Sequence, residues 1–254
     1  NAYKDLKEKT TTPKFDLVLY VSSSSQNIAP GDGHYFIGKF DELKNVGCID
    51  INLGCSGYTY ALGLSKNLIN SSNFNNILLI TTDSYSKIIK NKDKSNLTLF
   101  GDGASASIVT NDFKYSIDGW IISDFKCGAF SSGYDDLKIS KSLNCKNGIL
   151  HMNGPAIFKF TSNIVIDFIN KQNLSLNAYK VIFHQANSFM LNYMRKKLNI
   201  NSQNFLIDIK DTGNTVSSSI PIVISRNINQ LEEHKIFMCG FGIGASYSSI
   251  ILEK

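Results

Sequence analysis

Short apolar runs alternating with amphipathic helical patterns are the strongest constraint on what this 254-residue chain can fold into. Asp16–Val21, Val46–Leu53, Asn76–Thr82, Lys180–Phe183, Lys235–Cys239 and Ser246–Leu252 are rich in aliphatic and aromatic residues and have the length of strands, not helices. Between them, Tyr58, Ala61, Leu62, Ser65, Leu68 and Ile69 share one helical face, and residues 34–44 and 152–172 read as helical. A further helix runs from Asn187 to Leu198, and another is opened by Pro221. Strands that alternate with helices build mostly parallel sheets with helices on their faces, an α/β class. The spacing predicts Leu97–Thr110 as two strands turned at Gly101-Asp102-Gly103, and the stretch after Ser123 as a polar connection to Gly148. The first half closes near residue 112, leaving 113–254 as a second.

The length and 43% hydrophobic content suffice for a substantial core. The balance of 26 basic and 21 acidic residues falls short of a nucleic-acid-binding stripe, so no nucleic-acid partner is expected. No apolar run reaches the roughly 18 to 20 residues of a membrane span, and the opening lacks a signal-peptide core. Five cysteines without a CxxC pair argue against a disulfide framework. A cytoplasmic protein is the expectation.

Open α/β sheets present functional groups at the carboxyl ends of their strands, and Cys55, His184 and Asn214 all occupy such positions. Cys55 lies in Gly54-Cys55-Ser56-Gly57 at the mouth of a helix, where unpaired N–H groups and the dipole favour a thiolate. A buried structural cysteine is the bland alternative. His184 follows a buried strand, whereas His34, His151 and His234 sit in polar or turn-like stretches and read as surface residues. Asn214, in Gly213-Asn214-Thr215, reads alone as a turn residue. Its amide could nonetheless donate to an oxyanion beside a cysteine and a histidine. Gly101-Asp102-Gly103 lacks the ending of a P-loop, and no pair of His or Cys residues has zinc-finger or HExxH spacing, so no metal site is expected.

Six motifs, in order, resemble the β-ketoacyl-acyl-carrier-protein synthase III family of the thiolase superfamily. They are Asp50-Ile-Asn-Leu-Gly-Cys55-Ser-Gly-Tyr-Thr-Tyr-Ala-Leu, Phe100-Gly-Asp-Gly-Ala, Met152-Asn-Gly, His184-Gln-Ala-Asn, Gly213-Asn-Thr and Gly240-Phe-Gly-Ile-Gly. The resemblance implies a thiolase-like, five-layer αβαβα sandwich of two similar halves, 1–112 with the nucleophile and 113–254 with His and Asn. It also implies an opening strand and helix that this sequence lacks. Activity would be decarboxylative Claisen condensation, with Cys55 carrying the acyl group, His184 and Asn214 stabilising an enolate, and the N–H groups of Cys55 and Ile243 forming the oxyanion hole.

The implied substrates are acyl-coenzyme A or acyl-acyl carrier protein and malonyl-acyl carrier protein. No cofactor is held permanently, acyl carrier protein is the partner, and the assembly is a homodimer serving fatty acid biosynthesis. Lys94 and Phe189 stand where the family has arginines for coenzyme A and carrier-protein contacts, and Arg195, Lys196 and Lys197 could substitute in docking an acidic carrier. Ile243 replaces a small residue and would narrow the acyl pocket. The rivals are acyl transfer without decarboxylation, a thiolase reaction using Cys239, and a non-catalytic subunit. By the glycine register Cys239 lies one position too early and should point away from Cys55.

Overall fold

The computed structural model describes every residue except 117–118, 143–144 and 232–233. In chain order, the first half runs α1 (Ala2–Lys9), β1 (Leu17–Val21), α2 (Asp32–Ile37), β2 (Gly47–Ile51), α3 (Gly57–Asn70), β3 (Asn76–Asp83), α4 (Lys94–Leu97) and β4 (Gly103–Thr110). There follow α5 (Phe113–Ser116), β5 (Ile121–Ala129), the hairpin β6 (Leu137–Ser142) and β7 (Cys145–Met152), α6 (Gly154–Phe160) and α7 (Ile166–Asn170). The chain ends with β8 (Lys180–Phe183), α8 (Ser188–Lys197), β9 (Phe205–Leu206), α9 (Ser219–Arg226), α10 (Ile228–Leu231), β10 (Ile236–Gly242) and β11 (Ser246–Glu253).

Two mixed sheets carry the fold. The first has the order β2-β1-β3-β4, in which β1 pairs parallel with both β2 and β3, and β4 returns antiparallel. The second has the order β5-β11-β10-β8-β9, with β10 parallel to β8 and antiparallel to β11. Leu17, Leu19 and Val21 of the first sheet share a cluster with Ile182, Ile236, Met238 and Ile250 of the second, through Tyr58, Ala61 and Leu62 of α3 and Ile220 and Val223 of α9. The two helices are therefore a layer buried between the sheets, where each fully buried aliphatic side chain contributes roughly 1.5–3 kcal/mol. The alternate residues Val18 and Tyr20 face Tyr3 of α1 and Ile37 of α2, and Phe183 and Phe237 face Leu191 of α8 and Ile169 of α7. Period-2 alternation thus sends each strand's side chains into two different helix layers, giving the five-layer αβαβα order.

Local chemistry accounts for the boundaries. Asn187 caps α8 by accepting the Met190 N–H at 2.8 Å, and Asn153 caps α6 by accepting that of Ala156 at 3.3 Å, with a proline in the first turn. Residues 161–165 form a π-helical segment between α6 and α7.

Three sequence expectations need correction. Leu97–Phe100 is not a strand, because Asp93 accepts the Asn96 N–H and starts a helical turn, so β4 stands alone after Asp102. The connection expected between Ser123 and Gly148 contains most of β5 and the β6–β7 hairpin. Residues 34–44 hold the end of α2 followed by a separate 3-10 turn at Asp41–Leu43.

Candidate active site

Cys55 sits in the turn between β2 and α3 and is 4% exposed. The turn is closed by the Gly57 N–H donating to the Gly54 carbonyl at 2.8 Å. The β10–β11 connection packs directly on the thiol. A Cβ at Gly242 would stand 2.8 Å from both Cβ and Sγ of Cys55, and φ is +154° there, so only glycine fits. That approach lets the backbone N–H of Ile243, together with the N–H of Cys55 itself, hydrogen-bond the sulfur. Both N–H groups lower the thiol pKa, but burial outweighs them and pushes it up to about 12. The N–H groups at the helix mouth thus favour the thiolate as expected, but they do not compensate for losing water, and burial leaves Cys55 as a thiol.

His184 directly follows β8, its N–H donating to the Cys239 carbonyl at 2.8 Å. Nδ1 lies 2.7 Å from Ser219 Oγ in the first turn of α9, and the ring meets Phe241 edge-on at 5.6 Å. Burial lowers its pKa from 6.5 to about 3, against a hydrogen bond with the Val216 backbone that raises it. The imidazole is therefore neutral at physiological pH. Linkage gives a stability signature. Below pH 6.5 the unfolded chain takes up a proton that the folded chain refuses until about pH 3, so this contribution to stability is full above 6.5 and is lost as pH falls. The slope is about 1.4 kcal/mol per pH unit. Urea unfolding between pH 7 and 4 should show it, and His184→Asn should make the decline shallower by up to one proton.

Asn214 is fastened to the FGDG segment. Its N–H donates to the Leu99 carbonyl at 2.9 Å and its carbonyl accepts from Gly101 at 3.0 Å, in a parallel bridge with Phe100. Its Oδ1 accepts the Val216 N–H at 2.9 Å, which fixes the amide so that Nδ2 is the atom offered to the site. Val216 is fully buried with φ +54°, a left-handed conformation that costs a β-branched residue roughly 1–3 kcal/mol.

Buried Asp83, at the end of β3, supplies the support for that strain. It accepts from Ser23 N–H and Oγ and Ser24 Oγ at 2.9, 3.0 and 2.9 Å, and from Ser217 N–H and Oγ at 3.2 and 2.5 Å. Desolvation raises the Asp83 pKa while these donors lower it. The carboxylate ties the ends of β1 and β3 to the turn after Asn214. Neither it nor Ser219 was anticipated from sequence, since serines 22–25 and 217–219 carry no periodic or spacing signal.

Cys55, His184 and Asn214 line one cavity of about 80 Å³, together with Phe100, Met152, Asn187, Phe241 and other apolar residues. A second cavity of about 600 Å³ has Ile243, Leu137, Tyr134 and Ser23 in its wall. Lys94 is exposed at the start of α4 and outside the cavity lining. Phe189 is 73% exposed and packs on Phe158 at 5.8 Å, just beyond Asn187 and Met190 at the cavity rim. Arg195 donates to the Ile200 carbonyl at 3.1 Å, Lys197 lies over the Tyr193 ring at 5.9 Å, and Lys196 is exposed. These three cations therefore sit at the far end of α8. Cys239 packs into the outer helix layer, away from the cavity. Cys48, Cys55, Cys127 and Cys239 are free thiols, and the side chain of Cys145 lies outside the described residues.

Residues 49–129 match the family model described as 3-Oxoacyl-[acyl-carrier-protein (ACP)] synthase III, and 170–254 match its C-terminal counterpart. The chain is 30% identical to a beta-ketoacyl-[acyl-carrier-protein] synthase III of Clostridium perfringens, over 94% of this chain and 77% of that one. It is 30% identical to a beta-ketoacyl-[acyl-carrier-protein] synthase III 2 of Staphylococcus epidermidis, over 99% and 81%. The crystal structure of the 3-oxoacyl-[acyl-carrier-protein] synthase III of Aquifex aeolicus superposes with a TM-score of 0.85 at 29% identity, covering 100% of this chain and 82% of that one.

Proposed function

Because this chain belongs to the 3-oxoacyl-[acyl-carrier-protein] synthase III family, we propose that it catalyses decarboxylative Claisen condensation of a Cys55-bound acyl group with malonyl-acyl carrier protein. The single observation carrying this reading is the meeting of a thiol, a neutral imidazole and an oriented amide in one cavity, with two N–H groups aimed at the sulfur.

The Cys55 sulfur attacks the acyl thioester carbonyl; the bond to the donor thiol breaks, and the proton of Cys55 leaves with that thiol. The oxyanion of this step occupies the space facing the N–H groups of Cys55 and Ile243. The malonyl thioester then loses CO2, and the electron pair passes to its α-carbon and carbonyl oxygen. His184 and Asn214 Nδ2 donate to that oxygen, which suits an uncharged imidazole. The enolate attacks the acyl-Cys55 carbonyl, and collapse expels the sulfur, which recovers a proton from solvent. Ser219 and the Val216 turn act as positioning groups for the two donors.

The substrates assigned here are acyl-coenzyme A or acyl-acyl carrier protein as donor, with no permanently bound cofactor. Acyl carrier protein is the partner, approaching by Phe189 at the cavity rim, with Lys94 and Arg195–Lys197 as peripheral contacts. We divide the chain at residue 112 into a nucleophile half and a His/Asn half. Among the described residues no helix is long and apolar enough to cross a membrane, and a cytoplasmic homodimer is the assembly proposed. Edge strand β2, paired on one side only among the described residues and with Ile49 44% exposed, supports association through that edge.

Intact-protein mass spectrometry against a panel of acyl thioesters, with CO2 release from malonyl-acyl carrier protein, tests the reading. The expected result is an acyl adduct on Cys55 that is discharged, with CO2, on adding the malonyl substrate. An adduct that forms and transfers without CO2 would favour simple acyl transfer, and no adduct would favour a non-catalytic role.

A further inference from the structure

Away from the cavity of Cys55, three donors of different chemistry converge where α2 packs on β2. Cys48 and Asp50 alternate onto the same face of β2, the face toward α2, and His34 lies in the first turn of α2. One ligating atom from each of His34, Cys48 and Asp50 lies within 4.8 Å of the other two. His34 Nδ1 is 3.4 Å from Asp50 Oδ2. The other oxygen, Oδ1, accepts the Gly33 N–H at 2.8 Å, which orients the carboxylate and leaves Oδ2 toward the imidazole.

Glycines keep the space clear. A Cβ at Gly31 would stand 2.3 Å from the Asp50 carboxyl carbon, and one at Gly33 would stand 2.7 Å from the Cys48 sulfur. We propose that His34, Cys48 and Asp50 form a binding site for a divalent ion of the zinc class, one per chain, clamping α2 onto the edge strand. Imidazole and thiolate donors favour zinc, cobalt and nickel over magnesium and calcium. Bonds of about 2.0–2.3 Å in a tetrahedron place ligand atoms roughly 3.3–3.8 Å apart, so the donors need to close by about 1 Å. All three side chains are half-buried or exposed and have the freedom to do so. The fourth position is water, supplied from the 600 Å³ cavity, whose wall includes Gly31 and Asp50. Binding displaces the Cys48 thiol proton to solvent as the S–metal bond forms. Because the thiol must lose its proton to ligate, affinity rises with pH.

Cobalt(II) titration of the reduced, chelator-treated protein reads this directly. The expected result is a thiolate-to-cobalt charge-transfer band in the near ultraviolet with visible bands of four-coordinate geometry, saturating at one ion per chain and displaced by zinc. Cys48→Ser should abolish the charge-transfer band, Cys127→Ser should leave it, and His34→Ala should weaken affinity at least about tenfold. His34 is exposed, so its replacement leaves the fold intact, and circular dichroism of each variant checks this. No charge-transfer band, a band that survives Cys48→Ser, or affinity indifferent to His34→Ala would overturn the proposal, leaving a His34–Asp50 contact beside a bystander thiol. Metal binding at these three residues is independent of the condensation chemistry at Cys55.

Discussion

Cys55→Ala is expected to abolish the acyl adduct seen by mass spectrometry and to lower condensation by on the order of 10⁵-fold or more, as loss of a nucleophile does elsewhere. The size of this effect follows from the chemistry assigned to the sulfur, because without it no covalent intermediate forms and the enolate has no electrophile on the enzyme. Folding should be little affected. The side chain loses one sulfur atom from a pocket already crowded by Gly242, and cysteine behaves there as a small apolar group. A thermal midpoint close to that of the parent chain, with activity gone, separates the role in chemistry from one in packing. An alanine variant that still acquires an acyl group at normal rate would show that the acyl carrier is another residue, and would remove Cys55 from the mechanism.

The parts legible in the sequence were those fixed by local pattern. β8, Lys180–Phe183, is buried almost throughout and bounded by polar residues, so three apolar positions, Val181, Ile182 and Phe183, sufficed to place it and with it His184. Cys55 was placed for the same reason, at the end of a strand and before a helix whose apolar face was unambiguous. What escaped depended on contacts distant in sequence. Leu97–Phe100 alternates like a strand, but its partner is a single residue, Asn214, and the close approach of Gly101 to the Thr212 carbonyl is invisible in the chain. The charge state of Cys55 also escaped, because a motif identifies the helix mouth and not the degree of burial that overrides it. Likewise Cys48 and Asp50 are two residues apart but meet His34 only through packing, so spacing rules for metal ligands pass over them.

His184→Ala and Asn214→Ala should each leave Cys55 able to take up an acyl group while cutting CO2 release from the malonyl thioester by about 10²- to 10³-fold, the range for losing one oxyanion donor. The asymmetry is the informative part. Acyl loading uses the N–H groups of Cys55 and Ile243, which neither substitution touches, whereas decarboxylation places its charge on the oxygen that His184 and Asn214 would hold. The double variant should lose less than the product of the two single effects, because donors that share one oxygen act as a unit. Val216 offers the control. Its N–H fixes the Asn214 amide from a strained, left-handed backbone, so Val216→Gly relieves the strain and keeps the N–H. Its decarboxylation rate should stay far nearer the parent's than that of Asn214→Ala. Quantifying acyl-Cys55 and CO2 in the same reaction distinguishes the outcomes. If both steps fall together in the alanine variants, the two residues serve the structure of the pocket; if only CO2 release falls, the division of labour between the two halves of the site stands.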